Sequence, residues 1–545
     1  MGGAATTLDA LRGRIGAILA SNRVPGASIV LAGAGGVIWA GGVGVADRAT
    51  GRPVTAATPF RLGSVSKSLT ALAAMRLVES GRLSLDARLR SVAPDVSFEN
   101  PWEASHPVLV AQLLEHTAGF EMVRFNDDVD DSSRPRSLLE ALAVNPATRQ
   151  SRWPPGTRMS YSNEGYLAAG RVLETVTGRS FDEVLQDQVL GPLGMGTAAF
   201  RLTPQLRATI ARGYRSDGTA WDYREDMMRP AANLLASADD MARYLRLWLG
   251  RGEVDGQRLL STAGIDRIEA RRTLPYAGPE QQYGLGSETE QYDGHVAHGH
   301  AGTADGFRAS LRYFPREGVG WALALNADSD QARDDVEGEL AGYLMRGAPA
   351  PPRAATVLSG GVLAGLAGFY RDVTALDVLR APITAILGGE DFEVRGGALW
   401  ERAAGDGGVS SLVRSPPWQR LSPCEGGGFC RDGETISSLY FARGADGGRV
   451  LVTPAGYLER GPGWLVAVER ALLLGALLCL LGAVVAAPLW LLRAAFGGPP
   501  RGHLGIRLLP AAAALAAACA YGLFSRNPQP LGEMNATTVA VFVLS

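Results

Sequence analysis

The chain has 545 residues, 46% hydrophobic and 20% charged, a composition that supports large buried cores and excludes a disordered or low-complexity polypeptide. At roughly 150 residues per domain, the length suggests three or four units. The net charge of -2 supplies no basic field for nucleic acid, so that partner class is excluded.

In chain order, alternating helical and strand-like patterns run from residue 8 to about 345. ASIVLAGAGGVIWAGGVGVAD reads as two β segments around a glycine turn at Gly35-Gly36, hence a hairpin. From Ser64, Leu69, Leu72, Met75, Leu77 and Val78 recur at near-helical spacing, with Gly81 as the stop. Ser237-x-x-Asp240 ahead of MARYLRLWL is a capping-box-like start for another helix.

After Gly347, the APAPPRAA stretch predicts a Pro/Ala linker over 346–358. Residues 359–460 are Gly-rich and strand-like, and predict a small β domain. Within it Cys424 and Cys430 flank a polar loop and suit a small loop disulfide in an oxidising compartment.

The end of the chain is apolar. Ala471 to Leu492 carries no charge between Arg470 and Arg493 and is long enough to cross a bilayer as a helix. Leu508 to Phe524 predicts a second, shorter span. The loop between them holds Arg493, Arg501 and Arg507 and no acid. The positive-inside rule places it in the cytoplasm, and hence the residues before 470 outside, at the inner membrane's periplasmic or extracytoplasmic face. The first 23 residues show no apolar segment of secretory type; a misplaced start or a truncated chain is the expected reason. TTVAVFVLS at 537–545 reads as a third span cut short.

Lys67 is the single lysine among 53 basic residues. Arginine holds its proton, whereas burial can neutralise a lysine and make it a base. Ser64 lies three residues earlier on the same helix face, offset by about 60°, where a serine nucleophile would find its base and a helix N-terminus its oxyanion. Tyr161-Ser162-Asn163 follows the turn-forming Pro154-Pro155-Gly156. A phenol beside an ammonium is expected to have a lowered pKa and to move protons, and an asparagine amide to hold lysine and substrate. His298 and His300 point the same way on a strand, with Gly302 permitting close approach to a ligand. Three of the six histidines, His295, His298 and His300, fall in this segment and raise a zinc site as a rival reading, but no HExxH or carboxylate partner motif accompanies them.

Together Ser64-Val65-Ser66-Lys67, Tyr161-Ser162-Asn163 and His300-Ala301-Gly302 resemble the three active-site motifs of the serine β-lactamase and penicillin-binding protein superfamily, on its class C β-lactamase and D,D-peptidase branch. LLEHTAGF at Leu113–Phe120, PPGTRMSYSNEGY and GPLGMGTAAF at Gly191–Phe200 are similar to it as well. The resemblance covers residues 8–345; the β domain is similar, more weakly, to lipocalin-like appendages of some members.

The resemblance implies an α/β (α+β) fold, with an antiparallel sheet flanked by helices, then the small β domain and the transmembrane helices. It implies that Ser64 attacks a carbonyl, that Lys67 and Tyr161 move protons and that Asn163 orients them. His300 would line the edge strand with Gly302, the backbone N–H groups of Ser64 and Thr303 would form the oxyanion hole, and no metal or other cofactor would be needed. One departure bears on activity: His-Ala-Gly stands where β-lactamases carry Lys-Thr-Gly, and a largely neutral imidazole anchors a substrate carboxylate weakly. The expected activity is therefore a membrane-anchored serine hydrolase acting on a small-molecule or peptide substrate, an ester or D-amino-acid amide. The alternatives are a true β-lactamase or D,D-carboxypeptidase and, from another class, a sensor that binds without turnover.

Overall fold

The computed structural model describes residues 5–33, 35–122, 136–275, 278–349, 358–376, 381–403, 417–424, 427–444, 447–454, 456–496, 508–516 and 518–519. Most of the predicted linker, the end of the predicted second span and the whole of 537–545 lie outside them.

A seven-stranded antiparallel sheet organises the first 345 residues. The glycine turn joins β1 (Gly26–Gly33) to β2 (Gly36–Asp47), and β3 (Arg52–Pro53) pairs with β2. Two short pairs stand apart from the sheet: β4 (Phe60–Arg61) with β5 (Leu235–Ala236), and β6 (Glu253–Val254) with β7 (Gln257–Arg258). The sheet is completed by β8 (Glu288–Tyr292), β9 (His295–Ala304), β10 (Phe307–Phe314) and β11 (Val319–Leu325), in the order β3-β2-β1-β11-β10-β9-β8.

Both faces of this sheet are covered. Side chains alternate along a strand, so Ile29 and Leu31 face one layer, where Leu11 and Ile15 of helix Leu8–Ser21 and Val336 and Leu340 of helix Asp330–Leu344 pack. Val30 and Ala32 face the larger helical layer, which contains helix Ser66–Glu79 and helix Ala238–Leu249. Ser237 caps the latter as its spacing predicts: its hydroxyl accepts from Asp240 N at 3.2 Å and the Asp240 carboxylate accepts from Ser237 N at 3.0 Å.

The β domain is an eight-stranded antiparallel sheet that curls on itself. Its strands are β12 (Gly368–Asp372), β13 (Glu390–Arg395), β14 (Ala398–Ala403), β15 (Gln419–Pro423), β16 (Phe429–Cys430), β17 (Tyr440–Arg443), β18 (Arg449–Val452) and β19 (Tyr457–Gly461). A bridge between Phe429 and Leu439 joins the two edges and makes the sheet barrel-like, which removes exposed edges. Inside, Tyr370, Phe392, Phe429 and Phe441 meet edge to face. Cys424 and Cys430 form a disulfide, their Cα atoms 5.9 Å apart.

This barrel is docked on the first domain by polar contacts. The Gln291 amide oxygen accepts from Thr435 N and Ile436 N at 2.6 and 3.0 Å, and its amide nitrogen donates to Ile436 O at 2.9 Å. On the other side, Met122 N donates to Leu376 O at 2.9 Å and the Ser160 hydroxyl to Thr374 O at 3.3 Å.

A single apolar helix leaves the barrel. It runs from Gly463 to Ala495, and its stretch Gly463–Arg493 is long and apolar enough to cross a membrane. Two spans were expected; among the described residues only this helix meets that length. It also begins earlier than Ala471, because its first turns belong to the barrel: Glu469 pairs with Arg371 at 2.5 Å and Arg470 donates to Ile386 O at 2.9 Å. Residues 508–516 are helical, and the end of the second predicted span lies outside the described residues.

Candidate active site

Ser64 sits in a 3-10 turn, Gly63–Val65, that leads into helix Ser66–Glu79. In such a turn residues three apart come close to eclipse, tighter than the offset expected of an α-helix. Lys67 Nζ accordingly lies 3.0 Å from Ser64 Oγ, with a second contact at 3.0 Å to Ala231 O.

The helix carrying Lys67 is buried all round, so its hydroxyls find internal partners. Ser66 Oγ donates to Gly63 O at 2.6 Å, and Thr70 Oγ1 to Pro230 O at 2.7 Å. This leaves Lys67 fully buried while Ser64 keeps partial access to solvent. Burial lowers the Lys67 amine to about 7, against the opposing pull of Asp226 and Glu288. A neutral amine beside a serine hydroxyl is a competent proton acceptor.

Two glycines press the serine turn against β9. Gly63 has φ +50, and a Cβ there would lie 2.5 Å from Thr303 O; a Cβ on Gly302 would lie 2.0 Å from Leu62 O. The close approach at Gly302 is therefore to the chain's own backbone, where the sequence reading had placed a ligand. It sets the Ser64 turn directly beside exposed Thr303, the arrangement an oxyanion hole of two backbone N–H groups requires.

Tyr161 completes the group. Lys67 Nζ stands 4.7 Å from its ring centroid. Its pKa departs from expectation: burial raises the phenol far above its ordinary value, the nearby Ser64 hydroxyl opposes this and Glu288 adds to it. The lowering expected from an adjacent ammonium does not appear, because desolvation of the phenol is the leading effect.

Asn163 is placed differently from its expected role. It begins helix Asn163–Thr177 and is held by its backbone N–H, which donates to Met122 O at 3.1 Å. Its amide oxygen is buried without a hydrogen-bond partner among the described residues, and the Lys67 amine bonds Ser64 and Ala231 instead.

His300 lies on β9 beside the catalytic group. β8 pairs with His295–Gly299 and stops there, so the His300–Ala304 half of β9 is free on that side, as an edge would be. The imidazole is 1% exposed, and its ring centroid is 6.2 Å from that of Tyr161. Its Nε2 accepts from the Tyr283 hydroxyl at 2.8 Å, and its Nδ1 bonds Ala301 O and lies 3.6 Å from Glu288. Burial lowers it to about 4, against the pull of Glu288, so it is neutral. His295 and His298 go to other partners, Glu317 at 2.7 Å and Thr289 at 3.1 Å, which separates the three rings.

Several residues around the lysine escaped the sequence reading. His116 has φ +58, and its Nδ1 accepts from Ser162 N at 3.0 Å, fixing the Tyr161 loop. Its ring stacks 4.2 Å from Tyr161 and 4.5 Å from Tyr283. Behind His300, Arg312 bonds Glu288 at 3.0 Å and Glu290 at 2.8 Å. His116 lay within the noted LLEHTAGF, and Tyr283 within a Tyr-Gly-Leu-Gly run whose Gly286 has φ +62 and packs on Lys67 O. The Glu288–Arg312 pair had no local signal.

The fold and this serine–lysine–tyrosine grouping are those of the β-lactamase class of proteins. The Beta-lactamase family model matches residues 11–343, and the chain belongs to that family. Penicillin-binding protein 4 of Amycolatopsis lactamdurans is 31% identical over 369 residues, 65% of this chain and 95% of that protein. Protein flp of Staphylococcus aureus is 25% identical over 331 residues, 58% of this chain and 63% of its own length. Among solved structures, the octameric penicillin-binding protein homologue from Pyrococcus abyssi superposes with a TM-score of 0.55 at 23% identity, covering 84% of this chain and all of that one. The crystal structure of SurE with D-Leu gives a TM-score of 0.53 at 24% identity, covering 83% and 100%. The two solved structures cover more of this chain than the family model's 11–343, so their likeness in fold includes part of the β domain.

Proposed function

We propose that this protein is a serine hydrolase that forms an acyl-enzyme on Ser64, with an ester or a peptide-like amide as substrate. The observation that carries the reading is the 3.0 Å contact between Ser64 Oγ and the buried Lys67 amine. Neutral Lys67 takes the serine proton as Oγ attacks the carbonyl carbon, and the backbone N–H groups of Ser64 and Thr303 stabilise the oxyanion. The protonated amine then returns that proton to the leaving group through Tyr161, whose phenol remains neutral and serves as a hydrogen-bonding relay. Water enters by the reverse path to release the acyl group.

His300, neutral and buried, offers no cation to a β-lactam carboxylate. Ester or amide hydrolysis is therefore preferred over efficient penicillin hydrolysis, and β-lactam binding of the kind the Amycolatopsis relative's name describes is the runner-up. The apolar helix supports membrane anchoring, with the catalytic domain outside the cytoplasm; the disulfide suits that compartment.

The test is intact mass of the full chain in detergent after exposure to an uncharged fluorophosphonate, with peptide mapping and a Ser64→Ala control. Modification confined to Ser64 is expected. A folded chain left unmodified would replace the enzyme reading by a ligand-binding sensor.

A further inference from the structure

A cavity of about 530 Å³ lies at the β9–β10 turn, walled in part by Arg61, Arg207, Arg212, Trp221, Tyr223 and Phe307. That volume suits a small molecule. Arg61 stands on β4, three residues before the serine, and is 5% exposed.

Among the described residues, the Arg61 guanidinium has no hydrogen bond and no ion pair. Its Nε is buried without a partner, and its Cζ lies 5.1 Å from the Tyr223 ring centroid. Buried arginines elsewhere in this chain are treated differently: Arg149 bonds Glu164, and Arg312 bonds Glu288 and Glu290. A buried cation without an acceptor is costly, and a guanidinium facing a cavity matches a two-oxygen acceptor in a plane.

Two neighbouring charges are engaged elsewhere: Arg52 by the carbonyls of Thr209 and Ile210, and Asp47 by Ala49 N and the Tyr214 hydroxyl. Asp226 is near enough to feel both Arg61 and Lys67: burial pushes its carboxyl up to about 6, and Arg61 first and then Lys67 draw it back. Asp305, on the wall, lies two residues beyond Thr303.

We propose that this cavity receives the carboxylate-bearing end of the substrate, with Arg61 holding both oxygens and Trp221, Tyr223 and Phe307 flanking an apolar or aromatic body. It takes over the carboxylate recognition for which a buried, neutral His300 supplies no cation. As a substrate subsite it rests on the acyl-enzyme reading of Ser64, but its ligand binding is measurable without turnover.

The experiment uses the full chain carrying Ser64→Ala in detergent, titrated by calorimetry with benzoylglycine and with its uncharged amide. Benzoylglycine is expected to bind at least tenfold more tightly, and the preference to fall below threefold in Ser64→Ala/Arg61→Gln. Equal binding of the two probes, no binding of either, or a preference that survives Arg61→Gln overturns the proposal. Should that variant fail to melt cooperatively, Arg61→Lys decides: partial loss of the preference supports the planar grip and full retention overturns it. Fluorophosphonate labelling of the unsubstituted chain reports separately. Labelling without a carboxylate preference removes this proposal alone, whereas a preference without labelling removes the serine chemistry and leaves the binding site.

Discussion

Lys67 Nζ and Ser64 Oγ are 3.0 Å apart, and of the two only the serine is reached by solvent. The pair therefore combines an accessible nucleophile with a base kept neutral by burial. Because the amine is lowered to about 7, it is protonated below that pH and free above it. The rate of Ser64 modification by an uncharged fluorophosphonate is expected to rise with pH and level off above about 8. A flat profile between pH 5 and 9 would contradict this.

The same shift predicts a stability slope. In the unfolded chain Lys67 titrates near its ordinary 10.5, so between about 7 and 10.5 the unfolded state binds the extra proton. Stability therefore rises with pH across that window through this residue. Lys67→Met is expected to melt at a higher temperature than the parent at pH 7 and to flatten the slope, as measured by thermal unfolding from pH 7 to 10.

Tyr161→Phe separates relay from base. Loss of the hydroxyl is expected to lower hydrolysis by about 10²- to 10⁴-fold while the pH midpoint near 7 persists in the residual activity. Disappearance of that midpoint would move the base to Tyr161, contrary to its raised pKa.

Restoring a lysine at the third motif should not create a β-lactamase. His300→Lys leaves the buried Tyr283 hydroxyl without its acceptor, at a cost of roughly 1–3 kcal/mol, and the new side chain starts from a buried position. A lower melting temperature with no gain in penicillin hydrolysis is expected; a large gain would show that this position reaches the cleft.

Gln291 holds the barrel's Thr435 and Ile436 through its side-chain amide, while Ser437 N donates to Glu280. Gln291→Ala is expected to raise hydrogen exchange at Thr435 and Ile436 about tenfold or more, the response to losing roughly 1.4 kcal/mol of local stability. Unchanged protection of Thr435 and Ile436 would show that the barrel is held by its other contacts.

Features that depend on near neighbours in sequence were legible before any coordinates. The hairpin at Gly35-Gly36, the Ser237 cap and the apolar run after residue 470 each declare themselves by local spacing. So does Ser64-x-x-Lys67, because three residues at a helix start bring two side chains together whatever surrounds them. The early start of the final helix was missed because Glu469 and Arg470, polar in sequence, are satisfied by partners on the barrel.

The sequence by itself determined which residues share the nucleophilic turn and an end suited to a membrane, while the antiparallel sheet flanked by helices was implied by the resemblance of its motifs to a known family. Only the tertiary structure decided that burial lowers the Lys67 amine to about 7, that Tyr161 keeps its proton and that His300 is buried against the Tyr283 hydroxyl. It also decided that Arg61 Nε is buried without a hydrogen-bond partner among the described residues. Those properties depend on desolvation and on charges brought in from segments tens to hundreds of residues away. Such contacts leave no periodic mark on the chain that makes them.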